Sequence, residues 1–368
     1  MSQNSPWYKR RFYAHFDNTI PEGFAEKIVK DPERVAAHAF WPLIVNAQKT
    51  VSRRGSPGNR CWVTKKRPIA YAAHADSHIF SYYAFKLNGL LEETYAQEKA
   101  VDQSVLAYRK HQPPRCNIHF AKEAFDEIKD RESCDVVALD IDGFFDNLDP
   151  VILRRAWIEL LGTNTLPPDH FSVFKAVTRS YGITLSELRD VFGGEVPRRA
   201  GQVICSPQDF RQFVTPKLQP LSTLVQQIKG TNTSAPAARK GIPQGLPISA
   251  VLANLYMLQA DKSVVEFLQK IGGSYRRYSD DILLIVPKGK GAFVESTMAS
   301  FLQKIGLAIS CKKTKRYAVR KASCGALQVC STDDKWAKQH SEPVSYLGLT
   351  FNGDQIRIRD STIANFMF

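Results

Sequence analysis

The chain has 368 residues, of which 43% are hydrophobic and 11% aromatic, and this suits a globular protein of two or three packed units. Its 50 Lys and Arg residues outnumber its 36 Asp and Glu residues, so the net charge is +14. The sequence has no apolar run long enough for a transmembrane helix, and its start, MSQNSPWYKRRFYAHFDN, lacks the apolar core of a signal peptide. We therefore expect no membrane association.

The positive charge is distributed along the whole chain. Basic doublets and triplets recur, for example at Lys9-Arg10-Arg11, Lys65-Lys66-Arg67 and Lys312-Lys313. A basic surface binds phosphate backbones through counterion release and needs no contacts with bases. A solvated basic face and an anionic membrane surface are the alternatives, but no segment joins a basic face to a strong apolar stripe. Nucleic acid is therefore the partner that we expect.

The cysteines indicate the compartment. The seven cysteines are scattered, odd in number and never spaced Cys-x-x-Cys. This pattern predicts reduced thiols in a cytoplasm, and it argues against a zinc ribbon or a disulfide scaffold.

The predicted elements of the first half begin with a loop and a long helix. In chain order they are a loop at 53–60, a helix at 76–97 that starts at Asp76, a buried strand at 135–141, and a helix that has Asp149 as its N-cap and Pro150 as its first residue.

The second half continues the mixture. The predicted elements are a helix at TLSELRDVF stopped by Gly193, a loop at 230–241, one long helix or two successive helices at 248–271, a hairpin at 275–286, and a helix that ends at Gly306 before a short strand. Helices and strands that mix without strict alternation predict an α+β fold with an antiparallel sheet backed by helices.

Two adjacent aspartates lie in the predicted hairpin YRRYSDDILLIV. Asp280 and Asp281 are ordinary turn residues, so a purely structural turn is the plain interpretation. A second acidic strand end lies in ALDIDGFFDNLD, where Asp140 follows a buried strand. Two acidic strand ends in one sheet, with a PQG segment between them in the sequence, favour a site for a divalent cation.

Six motifs in a fixed order give these residues a family context. They are KKRPIA, LDIDGFFDNL, GIPQGLPISAVLANLYM, RRYSDDILLI, GLAISCKKT and SYLGL. With them the sequence resembles a reverse transcriptase of the bacterial kind that includes retron, group II intron and phage-defence enzymes. The resemblance extends from about residue 62 to 351. Each motif alone is weak, and the six in order are specific.

The resemblance implies a right-hand polymerase with fingers and a palm. The implied domains are an N-terminal extension and fingers at 1–134, a palm at 135–351, and the start of a thumb at 352–368. The long interval between Asp140 and Gln244 predicts an insertion in the palm at about 182–240. Few residues follow SYLGLTF, so we expect a thumb that is truncated or is supplied by another chain.

The same resemblance implies a catalytic metal site. In this family two Mg²⁺ ions activate the primer 3′-hydroxyl and stabilise the leaving pyrophosphate, and Mn²⁺ can substitute for them. Asp140 and Asp280 would be shared ligands, Asp281 the third carboxylate, and the Ile141 carbonyl a further ligand. Lys313 matches the lysine near the pyrophosphate that serves as general acid, and Lys312 is the alternative in register.

Phe145 carries the expectation about the sugar. In reverse transcriptases an aromatic ring at this place lies under the sugar and clashes with a 2′-hydroxyl, whereas RNA-dependent RNA polymerases have an Asp there. The next Asp here is Asp146, which would face away if the segment is a strand. The resemblance therefore implies deoxynucleotide substrates. The alternative is that Phe145 belongs to the core and that Phe144 lies at the surface.

The remaining expected contacts lie on the nucleotide, the primer and the template. Lys65 and Arg67 would bind the triphosphate from the fingers, and Lys66 would point the opposite way on a strand. Gln244 and Gly245 would approach the incoming nucleotide. The primer or template residues implied by the resemblance are Tyr278, Arg109, Tyr346, Leu347 and Gly348, the last three forming a hairpin that steadies the primer.

The expected function is RNA-directed DNA synthesis in a cytoplasm. The expected partners are an RNA template, a DNA primer or product, dNTPs and a second protein chain. By analogy with the family, the RNA is a dedicated non-coding RNA and the setting is bacterial defence against phages. Template-independent or protein-primed DNA synthesis on the same palm stays open. A non-catalytic RNA-binding scaffold subunit is the alternative of another class.

Overall fold

A computed structural model describes residues 5–54, 61–111, 113–193, 202–231, 240–337 and 339–367. The centres of the two predicted loops, at 55–60 and 232–239, lie outside these residues. So do the basic centre of the predicted insertion, at 194–201, and Phe368.

The secondary structure mixes helices and strands, as predicted. The strands are β1 Leu43–Arg54, β2 Cys61–Tyr71, β3 Cys134–Asp140, β4 Tyr181–Thr184, β5 Gln219–Pro220, β6 Ser274–Tyr278, β7 Asp281–Pro287, β8 Lys315–Lys321, β9 Leu327–Thr332, β10 Gln339–Ser341, β11 Val344–Tyr346, β12 Leu349–Phe351 and β13 Ile356–Ile358. The α-helices are α1 Glu22–Val29, α2 Pro32–Ala37, α3 His74–Gln97, α4 Lys99–Ser104, α5 Asn117–Arg131, α6 Phe144–Asn147, α7 Pro150–Leu161, α8 Pro168–Thr178, α9 Leu185–Val191, α10 Pro207–Asp209, α11 Leu221–Lys229, α12 Ser249–Lys270, α13 Gly291–Lys304 and α14 Asp360–Met367. A π-helical turn, Phe210–Val214, and a 3₁₀ turn, Thr215–Lys217, follow α10.

Local signals predicted several of these elements correctly. The side chain of Asp149 accepts a hydrogen bond from the Val151 amide at 2.7 Å, so it caps α7 as expected. The segment 248–271 forms one helix, α12, instead of two.

The strand predicted after Gly306 is reduced to a single bridge between Ile309 and Ile141.

The start of α3 differs from the prediction. Asp76 does not cap this helix, because it lies within the first turn and its buried carboxylate accepts from the Trp41 amide at 2.8 Å and contacts His38. The capping carboxylate is that of Asp17, which accepts from the amides of His74 and Ala75 at 2.8 and 3.0 Å. The residue that satisfies these free amides comes from a distant part of the sequence, so spacing along the helix could not identify it.

The chain divides into two compact units, each built from two stretches. Unit 1 comprises Met1–Leu90 and Phe145–Leu255. Its sheet has the order β2-β1-β4-β5, in which β1 is antiparallel to β2 and parallel to β4. The core beside this sheet contains apolar residues of the N-terminal segment, β1, β4, α9, the segment before α10 and the π-helical turn: Ala14, Phe16, Ile44, Ile183, Leu188, Ile204 and Val214.

Unit 2 comprises Leu91–Phe144 and Tyr256–Phe368. It has a six-stranded sheet of order β10-β9-β8-β3-β7-β6 and a three-stranded sheet of order β11-β12-β13. One face of the larger sheet is covered by α5, through Ala121, Ala124, Phe125 and Ile128. The central run of β7, Ile282 to Val286, is buried at every position, which accounts for its continuous apolar sequence. This sheet carries the acidic strand ends.

The predicted boundaries between fingers, palm and thumb are a functional division and stay a prediction. The described part of the predicted insertion contains its own elements, and β4 at its start pairs with β1 of the same unit. Within the described residues, no helix has the length and apolar composition that crossing a bilayer requires.

Candidate active site

The two adjacent aspartates lie at the tip of the β6–β7 hairpin, as predicted. The last pair of the ladder joins Tyr278 to Asp281, so Ser279 and Asp280 form the two-residue turn. Ser279 has a φ of +61°, which a residue with a side chain rarely adopts. The surrounding structure must therefore hold this turn in place.

Asp140 lies directly across from this turn. In the antiparallel pairing of β3 with β7, Asp140 is opposite Asp281, and the Ile141 amide donates to the Asp280 carbonyl at 3.1 Å. The structure thus brings the three predicted carboxylates to one end of one sheet. Like charges directly opposite each other on neighbouring strands repel, so this arrangement calls for positive charge.

The close approach of the carboxylates is reflected in the pKa of Asp281 and in an ion pair at Asp140. Burial and then the negative charges of Asp280 and Asp140 raise the pKa of Asp281 to about 6. The ammonium of Lys313 lies 2.5 Å from Asp140 Oδ1, and its side chain is half exposed. Of the two lysines considered from the sequence, Lys313 is therefore the one that contacts a predicted catalytic carboxylate, that of Asp140.

The donor set has the chemistry of a magnesium site. Carboxylate and carbonyl oxygens are the ligands that Mg²⁺ prefers, and the negative charges of Asp280 and Asp140 contribute, after burial, to the raised pKa of Asp281. Within the described residues, no three His, Cys, Asp or Glu side chains are already arranged around a common point at ligand distance. The residues fit the ion in their chemistry, with Asp140 paired to Lys313 in this arrangement.

A buried ion pair holds the turn from below, and it was not predicted. Arg277 and Asp261 are fully buried, and two guanidinium nitrogens donate to the Asp261 carboxylate at 2.8 and 2.6 Å. Tyr275 donates to the same carboxylate at 2.7 Å, and Arg277 also reaches the Ser279 carbonyl at 3.3 Å. The sequence held one signal for this pair. Arg277 is a charged residue within a predicted strand, and Asp261 is an acidic residue within a mostly apolar helix.

A second contact holds the turn from the side. The Tyr108 hydroxyl lies 2.9 Å from Ser279 Oγ, and the neighbouring Leu106 amide donates to the Arg277 carbonyl at 2.9 Å. Tyr108 has a φ of +64°. Arg109 was predicted as a functional residue and Tyr108 was not, because a contact between residues so far apart in the chain has no local signal.

Arg109 is engaged within unit 2. Its guanidinium donates to Glu92, to Asp102 and to the Val105 carbonyl, and only 6% of its side chain is exposed. It also lies over the ring of Tyr95. This arrangement ties α3 to α4, and the predicted place of Arg109 in the template path stays a prediction.

The predicted primer hairpin is present. Tyr346 ends β11, Leu347 and Gly348 form a two-residue turn with φ of +45° and +86°, and Leu349 begins β12. The ring of Tyr346 is buried, whereas Tyr278 is half-buried with its ring 6.2 Å from that of Phe120. The geometry forms the hairpin, and its action on a primer stays a prediction.

The residues predicted to contact the triphosphate lie in unit 1. Lys65, Lys66 and Arg67 are exposed on β2. Because side chains alternate along a strand, Lys65 and Arg67 share one face and Lys66 lies on the other, as expected.

Gln244 and Gly245 contact β2. The Ala70 amide donates to the Gln244 carbonyl at 2.7 Å. Gly245 has a φ of +106°, and a Cβ there would lie 2.5 Å from the Ala70 carbonyl oxygen. The close approach that requires glycine is therefore to β2, and an approach to the nucleotide stays a prediction.

The segment around Phe145 is helical and not a strand. Phe144 is buried and Phe145 is half-buried within α6, so Phe145 is the more accessible of the two rings. The inference that Asp146 faces away on a strand was wrong, because a four-residue helix occupies these positions. Asp146 instead forms an ion pair with Lys229.

The predicted site residues thus fall into two groups. Unit 2 holds the carboxylates, Ile141, Lys313 and the predicted primer and template residues, and unit 1 holds the predicted nucleotide contacts: Lys65, Arg67, Phe145, Gln244 and Gly245.

A known family model matches part of the chain. Residues 206–351 match the model of the family described as reverse transcriptase (RNA-dependent DNA polymerase). The matched stretch covers less than half of the chain, and the mixed fold with its palm-like sheet agrees with that family. The enzyme class that this family match indicates is a nucleotidyltransferase, an RNA-directed DNA polymerase. No curated protein matches the chain.

Solved telomerase structures are also similar to the chain. Apo telomerase from Candida tropicalis, truncated from its C-terminal domain, aligns over 92% of this chain and 61% of its own, at 9% identity and a TM-score of 0.48. Telomerase from Candida albicans in complex with a TWJ fragment of telomeric RNA aligns over 93% of this chain and 50% of its own, at 12% identity and a TM-score of 0.42. The chain therefore spans between half and about three fifths of these structures.

Proposed function

We propose that this chain is an RNA-directed DNA polymerase that adds deoxynucleotides by two-Mg²⁺ phosphoryl transfer. The observation that carries the proposal is the position of Asp140 directly opposite Asp281, with Asp280 in the adjoining turn. The family match of residues 206–351 supports the reaction class, because the segment contains Asp280 and Asp281.

The reaction divides among the residues of the chain. Two bound Mg²⁺ ions would activate the primer 3′-hydroxyl and neutralise charge on the leaving pyrophosphate. Asp140, Asp280 and Asp281 supply the carboxylate oxygens that hold them, with the Ile141 carbonyl as a further ligand. Lys313 supplies a proton to the leaving group from its place beside Asp140.

The substrate contacts follow from the two groups of residues. Lys65 and Arg67 bind the triphosphate oxygens, and Gln244 and Gly245 border the nucleotide. Phe145 excludes a 2′-hydroxyl. Tyr278 and the hairpin of Tyr346, Leu347 and Gly348 steady the primer end.

The partners are an RNA template, a DNA primer or product, and dNTPs. The net charge of +14 suits these phosphate-rich partners. A dedicated non-coding RNA and a role in defence against phages are the biological setting that we propose, and the motifs shared with bacterial reverse transcriptases support it.

DNA synthesis by the purified protein tests the reaction. The assay supplies Mg²⁺, labelled dNTPs and the co-purifying RNA, and the product is sequenced with and without ribonuclease treatment. We expect a product that complements the RNA and disappears after ribonuclease. A product of simple repeated sequence that survives ribonuclease would instead identify template-independent synthesis.

The variant Asp280→Asn separates catalysis from binding. It should abolish synthesis and leave RNA affinity within about twofold, because the carboxylate holds cations and not RNA. Asp130→Asn, at an exposed position of α5, is the matched control and should retain full synthesis. RNA binding without synthesis in both the unaltered protein and Asp280→Asn would favour the scaffold function.

A further inference from the structure

The antiparallel ribbon formed by β1 and β2 has two distinct faces. The strands pair without interruption from Ile44 opposite Tyr71 to Arg54 opposite Cys61. Between Cys61 and Arg67, β2 is exposed at every position except Val63, which is half-buried. This part of β2 therefore contributes little to the core of its unit, and most of its side-chain surface faces solvent.

One face of the ribbon carries none of the residues that the proposed reaction uses. Lys65 and Arg67 point to one side, and Trp62, Thr64 and Lys66 point to the other. Residues directly opposite each other in a ladder share a face, so Val51 joins Thr64 and Lys49 joins Lys66. We call these five residues the Trp62 face: Lys49, Val51, Trp62, Thr64 and Lys66.

The Trp62 face combines exposed apolar side chains with positive charge. Trp62 is 71% exposed and Val51 is 54% exposed. Covering these apolar side chains would remove apolar area from water and lower the free energy of the protein. Lys49 and Lys66 are exposed beside them. Neither strand contains an Asp or a Glu, so the ribbon carries positive charge alone.

We propose that the Trp62 face is a docking platform for single-stranded RNA. A base stacks on the Trp62 indole, and Lys49 and Lys66, about 13 Å along the strand from Trp62, bind backbone phosphates. Aromatic rings placed beside cations bind single strands in this way, because every base offers a flat face to stack. An anionic partner suits a ribbon without acidic residues.

This platform is separate from the proposed nucleotide contacts. Lys65 and Arg67 lie on the opposite face of the same ribbon, so a strand bound to the Trp62 face does not occupy the triphosphate contacts. The choice of RNA over DNA rests on the proposed function, and the platform itself rests on the ribbon. The two can be tested independently, because binding needs neither Mg²⁺ nor dNTPs.

The test measures the affinity for a labelled oligouridine of about 16 nucleotides by fluorescence anisotropy over a series of salt concentrations. Trp62→Ala should weaken binding by about 5- to 100-fold and leave the salt dependence unchanged, because stacking releases no counterions. Lys49→Ala combined with Lys66→Ala should reduce the slope of log Kd against log salt by about 1.4. Stacking and charge thus give separate signatures.

Two further variants identify the kind of contact at Trp62. Trp62→Phe should retain most of the affinity, because it keeps an aromatic face. Trp62→Leu should lose as much affinity as Trp62→Ala, because it keeps only apolar area. A Leu variant that binds as well as the Phe variant would overturn stacking and indicate an apolar contact with a protein partner.

The matched control lies on α1 in the same unit. Phe24 is 63% exposed, with the Lys27 ammonium 5.7 Å from its ring centre. Phe24→Ala with Lys27→Ala removes one exposed ring and one positive charge, as Trp62→Ala with Lys66→Ala does. The control should bind RNA within about twofold of the unaltered protein. An equal loss in both double variants would overturn the platform.

Competition among three unlabelled nucleic acids identifies the kind that binds. We expect unlabelled single-stranded RNA to displace the oligouridine more effectively than duplex RNA or single-stranded DNA of equal length. Tighter binding of duplex or DNA would overturn the assignment. Loss of DNA synthesis with an unchanged effect of Trp62→Ala would contradict the proposed function alone.

Discussion

The most informative residues are the three carboxylates, because they lie close together although their negative charges repel each other. Asp140 and Asp281 are cross-strand neighbours, and Asp280 lies in a turn in which Ser279 has a positive φ. Such a turn persists only when neighbouring groups stabilise it. Arg277, held by Asp261, and Tyr108 provide this support from two directions. The turn is therefore held in place by side chains other than the three carboxylates.

Tyr108→Phe tests this support. Removing the hydroxyl deletes one hydrogen bond to Ser279, worth about 1 kcal/mol, and leaves the ring in place. We expect kcat for nucleotide addition to fall about fivefold, with the KM for dNTP unchanged, because the carboxylates lose alignment and the triphosphate contacts do not. Steady-state kinetics on a primed template measures both constants.

The control for this substitution is Tyr181→Phe, at an exposed tyrosine of β4. It should change neither constant. If Tyr108→Phe raised KM and left kcat unchanged, the residue would belong to substrate binding and not to the positioning of the turn.

Phe145→Ala tests the selection of the sugar. Phe145 is the more accessible ring of α6, so its loss should open space for a 2′-hydroxyl. We expect the preference for dNTP over rNTP, measured as the ratio of kcat/KM values, to fall at least about tenfold, or about 1.4 kcal/mol. Phe144→Leu, at the buried neighbour, should leave the ratio unchanged. Unaltered selectivity in Phe145→Ala would remove this role.

At the scale of elements, the sequence predicted those strands, turns and helix ends that residues close together in the chain determine. The β6–β7 hairpin, β3 and the start of α7 are set by alternation, a turn and a cap within a few residues, and all were found. The start of α3 was not, because its cap is Asp17. The pairs Asp261 with Arg277 and Tyr108 with Ser279 join different elements, so no spacing rule reveals them.

Gly245→Ala tests the junction between the segment before α12 and β2. Its φ of +106° and a Cβ position 2.5 Å from the Ala70 carbonyl both oppose a side chain. We expect a loss of stability of at least about 2 kcal/mol, from the φ penalty and the backbone shift together, with a lower melting temperature.

Gly162→Ala separates the two causes. Gly162 ends α7 with a φ of +63° and has open space around its Cβ position, so it should lose only the φ penalty of about 1 kcal/mol. Equal losses at the two glycines would show that the close approach to β2 contributes nothing.

At the scale of the whole molecule, the sequence predicted the fold class better than the division into units. An α+β fold with an antiparallel sheet was expected from alternating and apolar strands, and it is present. Each unit, however, combines two separated stretches of the chain. Which stretches join depends on long-range pairings, such as β1 with β4, and these leave no trace in local composition.

The histidines of unit 1 predict how stability depends on pH. Burial lowers the pKa of His15, His78 and His170 to about 4 each. In the unfolded chain histidine binds protons near pH 6.5, so the unfolded state binds more protons than the folded state between pH 6.5 and 4. Stability must therefore fall as the pH falls through this window. Asp76 and Asp281, whose pKa values are raised to about 6 chiefly by burial, act in the opposite direction but are two groups against three.

His15→Phe should weaken this dependence. His15 is fully buried among Tyr13, Phe16 and Tyr71, so a phenyl ring can replace the imidazole without charging. The cost of its depressed pKa is on the order of 2 kcal/mol at about pH 5. Urea unfolding at about pH 7 and about pH 5 should therefore show a smaller loss of stability in the variant. His340→Phe, at an exposed histidine of β10, should keep the full loss. An unchanged loss in His15→Phe would mean that His15 does not contribute to the pH dependence, and it would contradict the lowered pKa of this residue.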